Sequence, residues 1–201
     1  MDLMVPSRFM AMTDRRIYYV VGASGAGKDT LIRHAREYLD GGSAVAFAHR
    51  YITRPAFAGG ENHVALSEVE FQLRQQRGLF AMHWESHGLY YGIGVEINQW
   101  LTGGLSVVIN GSRAYLPFAL KLYPGLRVVW VHADPDQVAA RLLQRRRESA
   151  QQIAERMQRN PEPTHPPCDI VRIDNSDTPE AAGERLLVLL RTGVLPDQFA
   201  G

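Results

Sequence analysis

The sequence predicts an α/β fold with a largely parallel central sheet. Three observations predict it. The chain opens its folded part with a short apolar run, a glycine-rich loop and a helical pattern in immediate succession. Apolar strand-like runs then alternate with helical ones almost to the end, the rhythm of strands joined by crossover helices. The stretch from about residue 45 to about residue 95 breaks that rhythm and is expected to be a lid-like insertion over a site.

The elements follow in order. Ile17 to Val21 is a short apolar run ended by glycine, which reads as a buried strand. Leu31, Ile32, Ala35, Tyr38 and Leu39 recur at helical spacing, and Gly41 and Gly42 stop that helix. "AVAFAHRYITR" alternates and predicts a second strand, and "PAFAGGENHVALS" reads as loop. "SEVEFQLRQQRG" is a short helix, with Ser67 as N-cap and Glu70 three residues on in a capping-box pattern. "LFAMHWESHGLYYGIG" suits short strands, "VEINQWLTGG" a helix and "LSVVIN" a buried strand. A helix through "YLPFALKLY" leads to the strand "LRVVWVHA". The stretch from Pro135 to Asn160 is mostly helical and is interrupted by a block of arginines. "DIVRIDN" closes the strands and "PEAAGERLLVLLRTG" the helices.

The chain has 201 residues, 45% of them hydrophobic, enough for one domain with its own core. Residues 1–15 are expected to form a flexible leader, with a single domain over 16–201. A formal net charge of +1 implies no long-range attraction to nucleic acid or to an acidic membrane. The single cysteine, Cys168, permits no internal disulfide, which fits a reducing compartment, and the opening residues lack the apolar stretch of a secretory signal. A cytoplasmic location is expected. The seven histidines form neither a zinc-protease motif nor a Cys/His cluster.

"GASGAGK", from Gly22 through Ala23, Ser24, Gly25, Ala26 and Gly27 to Lys28, fits G-x-x-x-x-G-K between a predicted strand and a predicted helix. Glycines there let successive N–H groups turn inward on phosphate oxygens, and the helix N-terminus adds its partial charge. Lys28 would reach the β- and γ-phosphates of ATP. Where a hydroxyl usually ligates Mg²⁺, this chain carries Asp29, followed by Thr30. Asp29 either binds the metal, holds a metal-bound water, or is simply a favourable acid in a first turn.

With that loop, the "HRYITR" strand, the "GLYYG" turn and the arginine-rich segment, the chain resembles the guanylate-kinase-like P-loop kinases. More closely still, it resembles the bacterial ribose 1,5-bisphosphate phosphokinase family. The matching stretches are "GASGAGKD", "AHRYITR", "GGENHVALSEVEF", "GLYYGIGVEINQWL", "VINGSRAYLP" and "RLLQRRRE". The resemblance implies a three-layer P-loop NTPase fold, an acceptor-binding subdomain over about 45–95 and a lid over about 141–160. It implies ATP and ribose 1,5-bisphosphate as substrates and Mg²⁺ as cofactor, with an Asp after the loop lysine as the normal residue. A homodimer is compatible with it. Guanylate kinases proper carry a Glu where "HGLYYG" aligns Met82, and carboxylates where Val108 and Asn110 stand. A buried guanine edge needs acceptors that Met82 and Val108 lack. The alternatives are a guanylate-type nucleoside monophosphate kinase and a non-catalytic binding module of the same fold. The second is disfavoured because Lys28, Arg145 and Arg147 are all kept.

On the acceptor side, Arg50 and Arg54 stand four apart, an even spacing that puts them on one face of an extended strand and suits forked phosphate binding. Tyr90 and Tyr91 offer phenol donors, and the resemblance favours Arg54 and Tyr91. Glu61 and Asn62 offer groups for ribose hydroxyls. Asn110, Ser112 and Arg113 sit at a predicted strand end, where ligands of open α/β sheets collect. By resemblance, Arg145, Arg147 and Arg156 belong to a lid that bridges the phosphates.

Overall fold

The computed structural model describes residues 16–56, 63–144 and 170–195. The expected leader, Glu61, Asn62 and the lid residues Arg145, Arg147 and Arg156 lie outside them. In chain order the elements are β1 (Ile17–Gly22), α1 (Lys28–Tyr38), β2 (Val45–Phe47), β3 (Arg50–Ile52), β4 (Val64–Ala65), α2 (Glu68–Gln76), β5 (Phe80–Ser86) and β6 (Leu89–Gly94). They continue with α3 (Glu96–Thr102), β7 (Ser106–Asn110), α4 (Leu116–Leu122), β8 (Arg127–His132), α5 (Pro135–Gln144), β9 (Ile170–Asp174) and α6 (Pro179–Thr192).

Two sheets organise these elements. The larger has the order β2-β7-β1-β8-β9, and every neighbouring pair in it is parallel. Parallel strands need crossover connections, which place helices on both faces, so the central strands are apolar without alternation. All six residues of β1 are buried. On one face Leu31, Ala35, Val138, Leu186 and Leu189 pack against Val20, Val129 and Ile173. On the other Ile97, Leu116 and Ala119 pack against Tyr19, Ile109 and Trp130. The result is three layers, helix–sheet–helix, as the resemblance implies, on the parallel sheet that the alternation predicts.

The smaller sheet has the order β4-β3-β6-β5, with β6 antiparallel to both β3 and β5. Here the structure departs from the predicted single strand over "AVAFAHRYITR". Its first half pairs with β7 in the large sheet, and Ala48 N–H donates to Val108 O at 2.9 Å as the last bond of that run. Its second half pairs with β6 in the small sheet. Alternation marks extended chain, but it carries no information about which sheet each half joins. The strand also ends at Ile52, so the even-spacing argument does not reach Arg54. Within the predicted loop, Val64 and Ala65 form a short strand parallel to β3.

The Ser67 cap is present. Its Oγ accepts from Glu70 N–H at 3.1 Å, while the Glu70 carboxylate pairs with Arg74 at 2.6 Å. Ser67→Ala is expected to lower stability by about 1 kcal/mol, because one first-turn N–H loses its acceptor. Urea denaturation of the two proteins side by side measures it.

Candidate active site

Because the large sheet is all parallel, β1, β7, β8 and β9 end at the same rim, and the loops that follow them meet there. After β1 the chain curls through Gly25 and Gly27, whose φ values of 90° and 94° are left-handed and suit glycine. Gly27 is required twice over, because a Cβ there would collide with the Asn175 amide. Lys28 opens α1, and its Nζ donates to Gly22 O and Ala23 O, each at 2.9 Å. The ammonium therefore lies across the loop that precedes it. Thr30 N–H donates to Gly27 O at 3.0 Å, which starts the helix.

Asp29 sits in the first turn of α1 and points to the neighbouring strand end. Asn110, the last residue of β7 and buried, donates its Nδ2 to Asp29 Oδ1 at 2.6 Å. The register that pairs Val20 with Asn110 brings the two together. Asn110, expected on the acceptor side, thus turns one amide hydrogen to the phosphate loop.

The back of the loop is held by residues that sequence reasoning left out of the site. Asn175, fully buried after β9, donates Nδ2 to Ala26 O at 2.6 Å. Arg141 on α5 donates Nη2 to Asn175 O at 3.0 Å and to Gln137 Oε1 at 3.1 Å. The helix that leads into the arginine block is therefore tied to the phosphate loop. A signal existed, since "IDN" ends a strand of a parallel sheet, but a turn reads the same way. Asp174 beside it has its carboxyl pKa lowered, mainly by the Ser176 hydroxyl and against the effect of burial.

On the small sheet, alternation sends Tyr90 and Tyr91 to opposite faces. Tyr91 stacks on Trp84 with ring centroids 5.6 Å apart, and the Arg50 guanidinium lies 5.3 Å from the Tyr91 ring. Tyr90 instead stacks on Phe71 of α2 at 5.5 Å. The structure brings Arg50 and Tyr91 together and puts Tyr90 among packed aromatics. Arg54 lies beyond β3, against the buried His63. Ser112 N–H donates to Tyr19 Oη at 3.0 Å, and Tyr19 Oη donates back to Ser112 O at 3.2 Å. Burial pushes the Tyr19 phenol pKa well up, so it stays a neutral donor and pins the "NGS" turn. Arg113 lies 6.0 Å over the Trp130 ring. Met82 and Val108 are both buried in the apolar core.

A strand–GxxxxGK–helix unit on an all-parallel sheet defines a P-loop nucleotide-binding fold, and the second sheet sets Arg50 beside Tyr91. The solved guanylate kinase of Anaplasma phagocytophilum has the same fold, with a TM-score of 0.63, 16% identity, and coverage of 90% of this chain and 87% of that one. No family model matches the chain. The ribose 1,5-bisphosphate phosphokinase PhnN of Thiobacillus denitrificans is 52% identical over 89% of this chain and 94% of its own length. That of Chromobacterium violaceum is 50% identical over 92% of this chain and 98% of its own. The chain belongs to the ribose 1,5-bisphosphate phosphokinase family and is a kinase. Among the described residues no helix is long and apolar enough to cross a membrane.

Proposed function

We propose that the chain transfers the γ-phosphoryl group of ATP to the 1-phosphate of ribose 1,5-bisphosphate, giving ADP and 5-phospho-α-D-ribose 1-diphosphate (PRPP). Family membership supports the reaction. Within the chain, the carrying observation is the contrast at the acceptor side. Arg50 is gathered over Tyr91, while Met82 and Val108, at the base-reading positions of guanylate kinases, are buried among apolar side chains. A phosphorylated sugar without a base fits that pattern.

An oxygen of the 1-phosphate attacks the γ-phosphorus in line. A new O–P bond forms as the bond to the β,γ-bridging oxygen breaks, and that electron pair leaves with ADP. A phosphate whose second pKa is about 6 is already largely ionised at neutral pH. No side chain has to remove a proton, so the protein's work is positioning and charge. The inward N–H groups of 22–28 and the α1 N-terminus cradle the phosphates. Lys28 exchanges its two loop carbonyls for β- and γ-oxygens. Arg50, Arg54 and Tyr91 hold the acceptor, and Ser112 and Arg113 border it. Arg145, Arg147 and Arg156 close over the phosphates and exclude water. The cytoplasm is the proposed location.

Magnesium, when bound, neutralises charge on the β- and γ-oxygens. Asp29 is the residue proposed to hold it. A hard cation takes oxygen ligands, and the Asn110 amide bonded to Oδ1 orients the carboxylate as partners of metal ligands do.

The test is acceptor-dependent ADP release from MgATP, with ribose 1,5-bisphosphate and GMP assayed side by side. The bisphosphate is expected to turn over about 10³-fold or more better in kcat/KM, because Met82 and Val108 cannot accept from the N–H groups of the base. Its product should be consumed by a phosphoribosyltransferase. Turnover with GMP alone would overturn the proposal.

A further inference from the structure

We infer that His63 is a positioning residue that aims the Arg54 guanidinium at the acceptor phosphate, an inference resting on the reading of Arg54 as a phosphate ligand. His63 is only 8% exposed and is one of three buried polar side chains among the described residues. Both of its ring nitrogens meet Arg54. Nε2 lies 3.1 Å from Arg54 O, and Nδ1 lies 3.3 Å from Arg54 Nη2. The partners' chemistry sets the tautomer. A carbonyl oxygen only accepts, so Nε2 carries the hydrogen and donates. A guanidinium only donates, so Nδ1 accepts. The neutral Nε2–H imidazole satisfies both contacts.

The need for such a device follows from where Arg54 stands. It lies two residues past the end of β3, beyond the ladder that fixes Arg50. A long side chain there loses much rotamer entropy when it binds a phosphate. Holding one Nη on a buried acceptor removes part of that loss in advance and sets the plane of the fork. The backbone contact to Arg54 O fixes the imidazole relative to the same residue, so ring and guanidinium move as one unit. His63 acts through Arg54 and is not a catalytic residue.

The two contacts can be separated by substitution. In His63→Asn the side-chain carbonyl oxygen replaces the Nδ1 acceptor. In His63→Gln the amide nitrogen replaces the Nε2 donor and the acceptor is lost. KM for ribose 1,5-bisphosphate, KM for MgATP and kcat are measured for Arg54→Gln, His63→Ala, His63→Asn and His63→Gln, with thermal midpoints recorded for each. His63→Ala is expected to raise the acceptor KM about ten-fold while leaving the MgATP KM unchanged. His63→Asn should recover most of that loss and His63→Gln little of it. A purely structural role predicts that recovery follows the thermal midpoint, not the acceptor atom. Equal recovery by Asn and Gln, or an acceptor KM unmoved by His63→Ala while Arg54→Gln raises it, overturns the inference. An acceptor KM unmoved by Arg54→Gln overturns the underlying assignment of Arg54 as well.

Discussion

Lys28→Met is expected to lower kcat about 10³-fold, equivalent to about 4 kcal/mol of transition-state stabilisation. Methionine keeps much of the unbranched stem, so the packing of the α1 N-terminus is preserved. What is lost is a cation that already lies across the loop, bonded to Gly22 O and Ala23 O. Phosphoryl transfer passes through a state with charge spread over three equatorial oxygens, and fixed cations supply most of the catalysis. Lys28→Arg should not restore activity, because a planar fork cannot replace a compact ammonium in a curled loop. Steady-state ADP release measures the loss, and an unchanged thermal midpoint shows that the fold persists. A decrease of less than ten-fold would mean that the ammonium does not reach the transferring group.

The second large effect is expected at the Asp29–Asn110 pair. Asp29→Ala should lower kcat/KM for MgATP about 10²-fold and move the magnesium dependence to higher concentration. Asn110→Ala should act on the same parameter more weakly, about ten-fold, because it only aims the carboxylate. The double variant should cost little more than Asp29→Ala alone, since the amide has nothing left to orient. A magnesium titration at fixed ATP separates the readings. If Asp29→Ala leaves that titration in place, Asp29 is an acid of the helix first turn and no more.

Much of the scaffold was legible because it is encoded locally. The run "IYYVV" has too little polarity for anything but a buried strand, and α1 and α6 show their apolar stripes at helical spacing. The "GASGAGK" loop needs glycine at Gly25 and Gly27 for their left-handed φ, a local requirement, and only the clash with Asn175 at Gly27 comes from a distant part of the chain. Thr178 and Gly193 mark the two ends of α6, with the Thr178 hydroxyl accepting from Ala181 N–H and Gly193 in the left-handed region. The site was legible only in part. Arg50, Tyr91 and the loop itself were proposed from residue type and resemblance, and the structure sets Arg50 beside Tyr91. Tyr90 was grouped with Tyr91 although adjacent strand residues must part, and Phe71 took it to the other face. His63 was passed over, and Arg141 and Asn175 were read only as part of the arginine block and of the strand-end "IDN", because each looks like ordinary loop or helix polarity in one dimension.

The sequence by itself determined the strand–loop–helix unit, the alternation that makes the sheet parallel, and the cations available for phosphate. Each depends on neighbours a few residues away, where periodicity and backbone sterics decide. Only the tertiary structure decided where "AVAFAHRYITR" changes sheets, which tyrosine faces Arg50, and what anchors the loop. Asn110 meets Asp29 from 81 residues away, and Asn175 meets Ala26 from 149. Such partners are chosen by strand order and register, and a buried amide or imidazole takes whichever complementary group the packed sheet leaves within hydrogen-bond reach.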